Sequence, residues 1–172
     1  MGGIDELVIN FAVYEDANEY LGMAEAILPN LEYMTEEIKG AGIAGNVEEI
    51  IVGHLSAMTT TLNFRTICRS AVRLLEPRVH KLDLRAAHQR MNNRTGEMEI
   101  ESVKHVMRVK PKKTALGKVA AASTADVSGE YAVQYYAMYM DGRKVIEVDP
   151  LNFIFIMNGK DYLEPVRKAL GK

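Results

Sequence analysis

The stretch 131-YAVQYYAMYMDGRKVIEV-148 decides the fold class. Apolar residues fill both parities of its first half, with Tyr135 and Tyr139 on one side and Tyr136, Met138 and Met140 on the other. A strand of that kind is covered on both faces, inside a core or equally at a subunit interface. Asp141-Gly142 then tolerates the positive φ of a two-residue turn, and 143–148 returns antiparallel. One strongly marked hairpin makes β-structure the first hypothesis for the rest.

Working outward, period-two patterns recur. In 56-SAMTTTLNFRT-66, Met58, Leu62 and Phe64 share one parity while Thr59, Thr61, Asn63 and Arg65 share the other. In 79-VHKLDLRAAHQR-90, Leu82, Leu84 and Ala86 alternate with Lys81, Asp83 and Arg85. Both read as strands with one buried face, and Asn92-Asn93 with Thr95-Gly96 marks a turn. The return, 97-EMEIESVKHVMRVK-110, begins with Met98 and Ile100 inward and switches parity to Val103, Met107 and Val109. A one-residue slip of this sort predicts a β-bulge near Ser102. The segment 152-NFIFIM-157, followed by Asn158-Gly159, adds a strand and turn.

Helix is scarce. Ser70 and Pro77 bracket a helix of about two turns. Residues 161–171 form a second, started either by Asp161 as cap or by Pro165 as first helical residue. Residues 111–130 are small and polar and read as a long loop. The expectation is one mainly β domain over residues 1–172 with one or two short helices.

The totals agree. At 172 residues the chain has room for one core and is short for two. A net charge of -2 and a pI near 6.1 argue against a protein built to wrap nucleic acid. One cysteine, Cys68, rules out an intrachain disulfide and a Cys-based zinc site. The start, MGGIDELVIN, lacks a signal peptide's basic and apolar regions, so synthesis and folding in the cytosol are expected.

The chemistry of sites is thin. Gly40, Gly42 and Gly45 carry a dinucleotide-fingerprint spacing, yet no buried strand precedes them and no acid lies about 20 residues on. They suit a flexible loop with close backbone approach. His54, His80, His88 and His105 lack metal-ligand spacing, and no nucleophile elbow or P-loop occurs. No enzyme, cofactor or metal is expected.

Two stretches carry a resemblance. Residues 28-LPNLEYMTEEIKGAGIAGNVEE-49 and 135-YYAMYMDGRKVIEVDPLNFIFIMNGKDYLEPVRKALG-171 resemble the major tail tube protein of contractile-tailed bacteriophages. The family's Leu-Pro-x-Leu segment and Gly-rich loop correspond to Leu28-Pro29-Asn30-Leu31 and Gly40 to Gly45. Its Asp-Gly hairpin, Val-Asp-x-x-Asn and Asn-Gly-x-Asp-x-Leu-Glu elements correspond to Asp141-Gly142, Val148 to Asn152 and Asn158 to Glu164. The segment 100–110 matches more loosely, and 66–96 and 111–130 carry little of the pattern.

The resemblance implies a tail-tube β-sandwich or barrel that assembles into a hexameric ring with a continuous inner β-barrel. Stacked rings then form a hollow conduit for DNA or ions, inside a virion tail assembled in the bacterial host cytoplasm. Implied partners are further copies of the chain, a tail sheath protein, a tape-measure protein, and baseplate and terminator proteins. DNA passes transiently and without sequence recognition. The ring-stacking loop is placed at 35–46, with Glu36, Glu37 and Lys39 setting register by charge, and Gly40, Ala41, Gly42, Ile43, Gly45 and Asn46 forming the contact. Residues 111–130 are a second candidate assembly loop. A DNA conduit favours a neutral or acidic wall, since duplex DNA carries a charge about every 1.7 Å. Glu97, Glu99 and Glu101 are the candidate lumen face, with a solvated outer face as the alternative. The basic group Arg108, Lys110, Lys112, Lys113 and Lys118 suits a solvated loop or an outer contact. Open alternatives are a tail-like bacteriocin tube, a type VI secretion-like tube protein and, from another class, a small-ligand-binding β-barrel.

Overall fold

Strands of alternating burial account for most of the chain. A computed structural model describes residues 3–16, 19–22 and 25–172. Among them are strands β1 (Gly3–Glu15), β2 (Glu19–Tyr20), β3 (Glu25–Ile27), β4 (Tyr33–Ile38), β5 (Val47–Leu55) and β6 (Met58–Phe64). There follow helix α1 (Arg69–Arg73) and strands β7 (His80–Asn92), β8 (Met98–Ala115), β9 (Val127–Met140) and β10 (Arg143–Asp149). Strands β11 (Ile154–Met157) and β12 (Lys160–Asp161) and helix α2 (Glu164–Ala169) complete the chain.

The main sheet runs β12-β11-β10-β9-β8-β7-β1-β2, all antiparallel. Strand β9 branches it. Its first half, Val127–Val133, pairs with β6, and its second half, Tyr136–Met140, pairs with β10 on the same edge. That branch folds the sheet over one apolar interior. Met58, Leu62 and Phe64 of β6, Leu82 and Leu84 of β7, Met107 and Val109 of β8, and Tyr131 and Tyr136 of β9 meet there. Leu62, Leu74, Met107 and Val109 are fully enclosed, and burial on this scale is what orders the strands.

The hairpins are as their sequences require. Asp141 and Gly142 both take positive φ (46° and 79°), and so do Asn158 and Gly159 (50° and 80°), the backbone of a turn whose twist matches its strands.

Four expectations are corrected. No bulge lies near Ser102: β7 and β8 pair without interruption from His80↔Val109 to Met91↔Met98. The apolar parity switches because Val103, Met107 and Val109 face the buried interior, whereas Met98 and Ile100, beyond the end of β9, are exposed apolar residues on the opposite face. The supposed loop 111–130 is strand as far as Ala115 and again from Val127, with a register shift between Pro111 and Lys113 that accommodates the proline. Helix α1 is capped by Cys68, whose Sγ accepts the Ala71 N–H at 3.4 Å, rather than by Ser70. Helix α2 starts at Glu164 with Pro165 inside its first turn, while Asp161 accepts the Leu163 N–H at 3.0 Å.

Candidate functional site

Two arms leave the core. The first is the hairpin of β4 and β5, a two-stranded sheet of its own. The loop placed at 35–46 is therefore narrower: residues 35–38 are strand, paired Thr35↔Ile50 through Ile38↔Val47, and 39–46 form the tip. Glu36, Glu37, Lys39, Gly40, Ala41, Gly42, Ile43, Gly45 and Asn46 are brought together and all are exposed. Gly40, Gly42 and Gly45 have φ of 139°, 89° and 133°, a region that favours glycine, and nothing lies within 4 Å of a Cβ built on any of them. The close backbone approach is not made within the chain; the turn's conformation accounts for the glycines. At the base, Ser56 N–H donates to the Glu32 carbonyl at 2.8 Å, and the Tyr33 ring meets Phe155 edge-on at 5.9 Å. Gly53 presses its backbone on Leu163, so the root of the hairpin is held.

The second arm is three-stranded. Beyond the end of β9, the first part of β1, the last part of β7 and the first part of β8 continue together. Both of its margins are open. From Gly3 to Ala12, no described strand lies on the outer side of β1, and Met98–Glu101 of β8 likewise extend past β9. One face carries exposed Ile4, Leu7, Met98 and Ile100. On the other, Glu99 stands opposite Arg90 and Glu101 opposite His88. Glu99 also accepts from Asn92 Nδ2 at 2.9 Å. Glu97 lies outside the strand, in the turn, where its carbonyl accepts the Asn92 N–H.

A buried ionic clip fixes where β1 leaves the core. Glu15 is 1% exposed and His80 fully enclosed. The Glu15 carboxylate accepts from His80 Nδ1 at 2.6 Å, Arg73 Nε at 2.7 Å and Arg78 Nη2 at 2.9 Å. His80 Nε2 faces the Glu76 carbonyl at 2.9 Å, so both ring nitrogens meet acceptors. Burial alone raises the Glu15 carboxyl, but hydrogen bonds from His80, Arg73 and Arg78 outweigh it and hold the group below the usual carboxylate value. Sequence reasoning missed this clip; its members stand 58 to 65 residues apart from Glu15 with no local pattern joining them.

The basic group divides. Arg108 is engaged, donating to Asp149 at 3.2 Å and lying 4.5 Å over the Tyr135 ring. Lys110, Lys112 and Lys113 are exposed along the end of β8, and Lys118 meets Asp126 at 3.2 Å.

A mainly β domain with two projecting arms and unfinished margins is the geometry to compare. Residues 5–171 match the family described as phage tail tube protein FII. The chain belongs to that family. It is a structural subunit of a tail tube. Among curated relatives, the tail tube protein of Escherichia phage P2 is 26% identical over 162 residues, spanning 92% of this chain and 93% of the relative. Solved structures give the same fold. One is the PVC sheath/tube terminator of an extracellular contractile injection system in the extended state, with 11% identity, a TM-score of 0.53, and 76% of this chain and 94% of that one covered. Another is the PVC sheath-tube complex of such a system in the extended state, at 12% identity and a TM-score of 0.50, covering 76% and 88%. In this tail tube protein the polar clusters described above are structural or face outward, and its distinctive surfaces are the two arms.

Proposed function

We propose that this tail tube protein closes into hexameric rings through its three-stranded arm and that the rings stack into the inner tube of a contractile tail or tail-like particle. The observation that carries the reading is the pair of open margins on one arm. An exposed strand edge invites pairing with another chain. The outer edge of β1 on one copy and that of Met98–Glu101 on the next are different surfaces. Joining them is a heterologous contact, which makes a ring when its rotation closes. The β4–β5 hairpin, with its Gly-rich tip, is the stacking element between rings, and Ile43 is its apolar contact.

In such a ring one face of the arm is turned to the bore. We assign the face of Glu99 and Glu101, which also carries Asp5 paired with Arg90 at 3.6 Å, to the lumen, because its acidic balance lets DNA slide where a lysine-lined wall would hold it. Glu97, in the turn, flanks it. The outer surface takes the sheath, and terminator and baseplate proteins cover the ends. A tape-measure protein fills the bore during assembly in the host cytoplasm, before DNA or ions pass.

Concentrated protein examined by negative-stain and cryo-electron microscopy is expected to show annular particles and hollow tubes, with Glu99 and Glu101 lining the bore in the reconstruction. A sample that remains monomeric at every concentration, retaining a small molecule, favours a ligand-binding barrel and overturns the proposal.

A further inference from the structure

The β4–β5 hairpin has an unusual electrostatic layout. Glu36 pairs directly across from Glu49, and Glu37 across from Glu48, one pair on each face of the ribbon. Like charges directly opposite destabilise a strand pair, and a two-stranded ribbon is marginal to begin with. None of the four carboxylates meets a lysine or arginine among the described residues; Glu48 accepts from the Thr35 hydroxyl at 2.7 Å and Glu49 from the Ile50 N–H at 3.1 Å. Exposed Ile38, Ile43 and Val47 lie beside them. A free hairpin of this composition is unfinished in both charge and apolar burial.

The complement lies elsewhere on the same chain. From Lys110 to Val119, the end of β8 and the segment after it present Lys110, Lys112 and Lys113, with exposed Leu116 and Val119 and no acidic residue, while Lys118 is engaged by Asp126 at 3.2 Å. Glu130 stands across from Lys113 without forming an ion pair. The two surfaces sit toward opposite ends of the sheet. The root of the hairpin packs on Phe155 of β11, which pairs with Val148 of β10 and through it with Tyr136 of β9. Ile50, Val52 and Gly53 of β5 line one cleft with Phe155 and Met157 of β11, which lie across β10 from the second half of β9. The basic segment pairs instead with Ser128–Ala132, in the first half of β9. One copy therefore cannot satisfy itself, whereas a second copy placed head to tail can.

We propose that the acidic β4–β5 hairpin of one subunit docks on the basic Lys110–Val119 segment of a copy in the adjacent ring, so that opposite charge fixes the direction of stacking. The inference rests on the tube reading above. Head-to-tail contact sets acid against base at every junction, while a reversed ring sets like against like, and such complementarity governs partner orientation more than raw affinity.

Wild-type tubes treated with a zero-length carbodiimide, which joins a carboxylate to an amine only in contact, are expected to give cross-linked peptides joining Glu36, Glu37, Glu48 or Glu49 to Lys110, Lys112 or Lys113. The E36K/E37K variant turns both cross-strand pairs into opposite charges, so its hairpin is firmer while its net acidity is gone. It is expected to remain folded by circular dichroism and still form rings, with sedimentable tubes reduced about tenfold or more at about 0.15 M salt. Tubes that lack all these cross-links, or an E36K/E37K variant that forms tubes in normal yield, overturn the inference while leaving the tube reading intact. Wild-type protein that forms neither rings nor tubes defeats the tube reading itself, and this inference with it.

Discussion

Replacing residues 39–46 by Asn-Gly is expected to leave a folded subunit that still forms rings but no stacked tubes. Ile38 and Val47 are the last paired residues of the hairpin, so a two-residue turn of that type closes it without strain. The tip it removes is exposed throughout, and no atom lies within 4 Å of where side chains on Gly40, Gly42 and Gly45 would begin. Removing such a surface changes stability by about 0.5 kcal/mol or less, or about 2 °C in Tm. Any larger effect must come from contacts with other copies. Normal-length tubes from the shortened protein, seen by negative-stain microscopy, would remove the hairpin tip from ring stacking.

The second large effect is expected from Glu15→Ala. The substitution removes the shared acceptor of Arg73, Arg78 and His80 and leaves a fully enclosed imidazole with its Nδ1 facing nothing. Breaking a buried ion pair by deleting one partner costs about 3–5 kcal/mol, which for a chain of this size lowers Tm by about 6–20 °C. The pH dependence has a definite sign. The folded-state value of Glu15 is depressed, so its stabilising effect is complete above the unfolded carboxylate value and is lost as pH falls through the lower, folded value. Thermal melts of the wild type should therefore fall in Tm on acidification below about pH 4.5, and the Glu15→Ala protein should lack that part of the decline. Equal melting temperatures at neutral pH would contradict the clip's role in holding β1.

Where burial is one-sided, the fold is legible. The alternation in 58–64 and 80–86 marks β6 and β7, and two Asx-Gly pairs mark the turns before β10 and β12, because these elements face a core on one side or turn within a few residues. The arms are written differently. In β1, extra residues at Glu6 and Ile9 shift the register against β7, which erases any simple period. Strand β5 is exposed along most of its length, so nothing forces its residues to alternate. The parity switch in β8 is real, but it records a strand passing from core to projecting arm, and only the neighbouring strand shows this. The Gly-rich tip is legible as a turn; the like-charge pairs behind it appear only once the register places Glu36 opposite Glu49. The Glu15 clip depends wholly on tertiary placement. The exposed arms thus leave the weakest periodic signal, since no core within the chain enforces alternation on them.

Amide hydrogen exchange, compared between unassembled subunits and assembled tubes, tests the open margins most directly. Residues 4–12 of β1 and 98–101 of β8 are at an edge in the isolated chain, and their outward amides should exchange rapidly there. Both segments are expected to become strongly protected together on assembly, as each edge gains a strand from its neighbour. Tubes in which those amides exchange as fast as in the free subunit would contradict it.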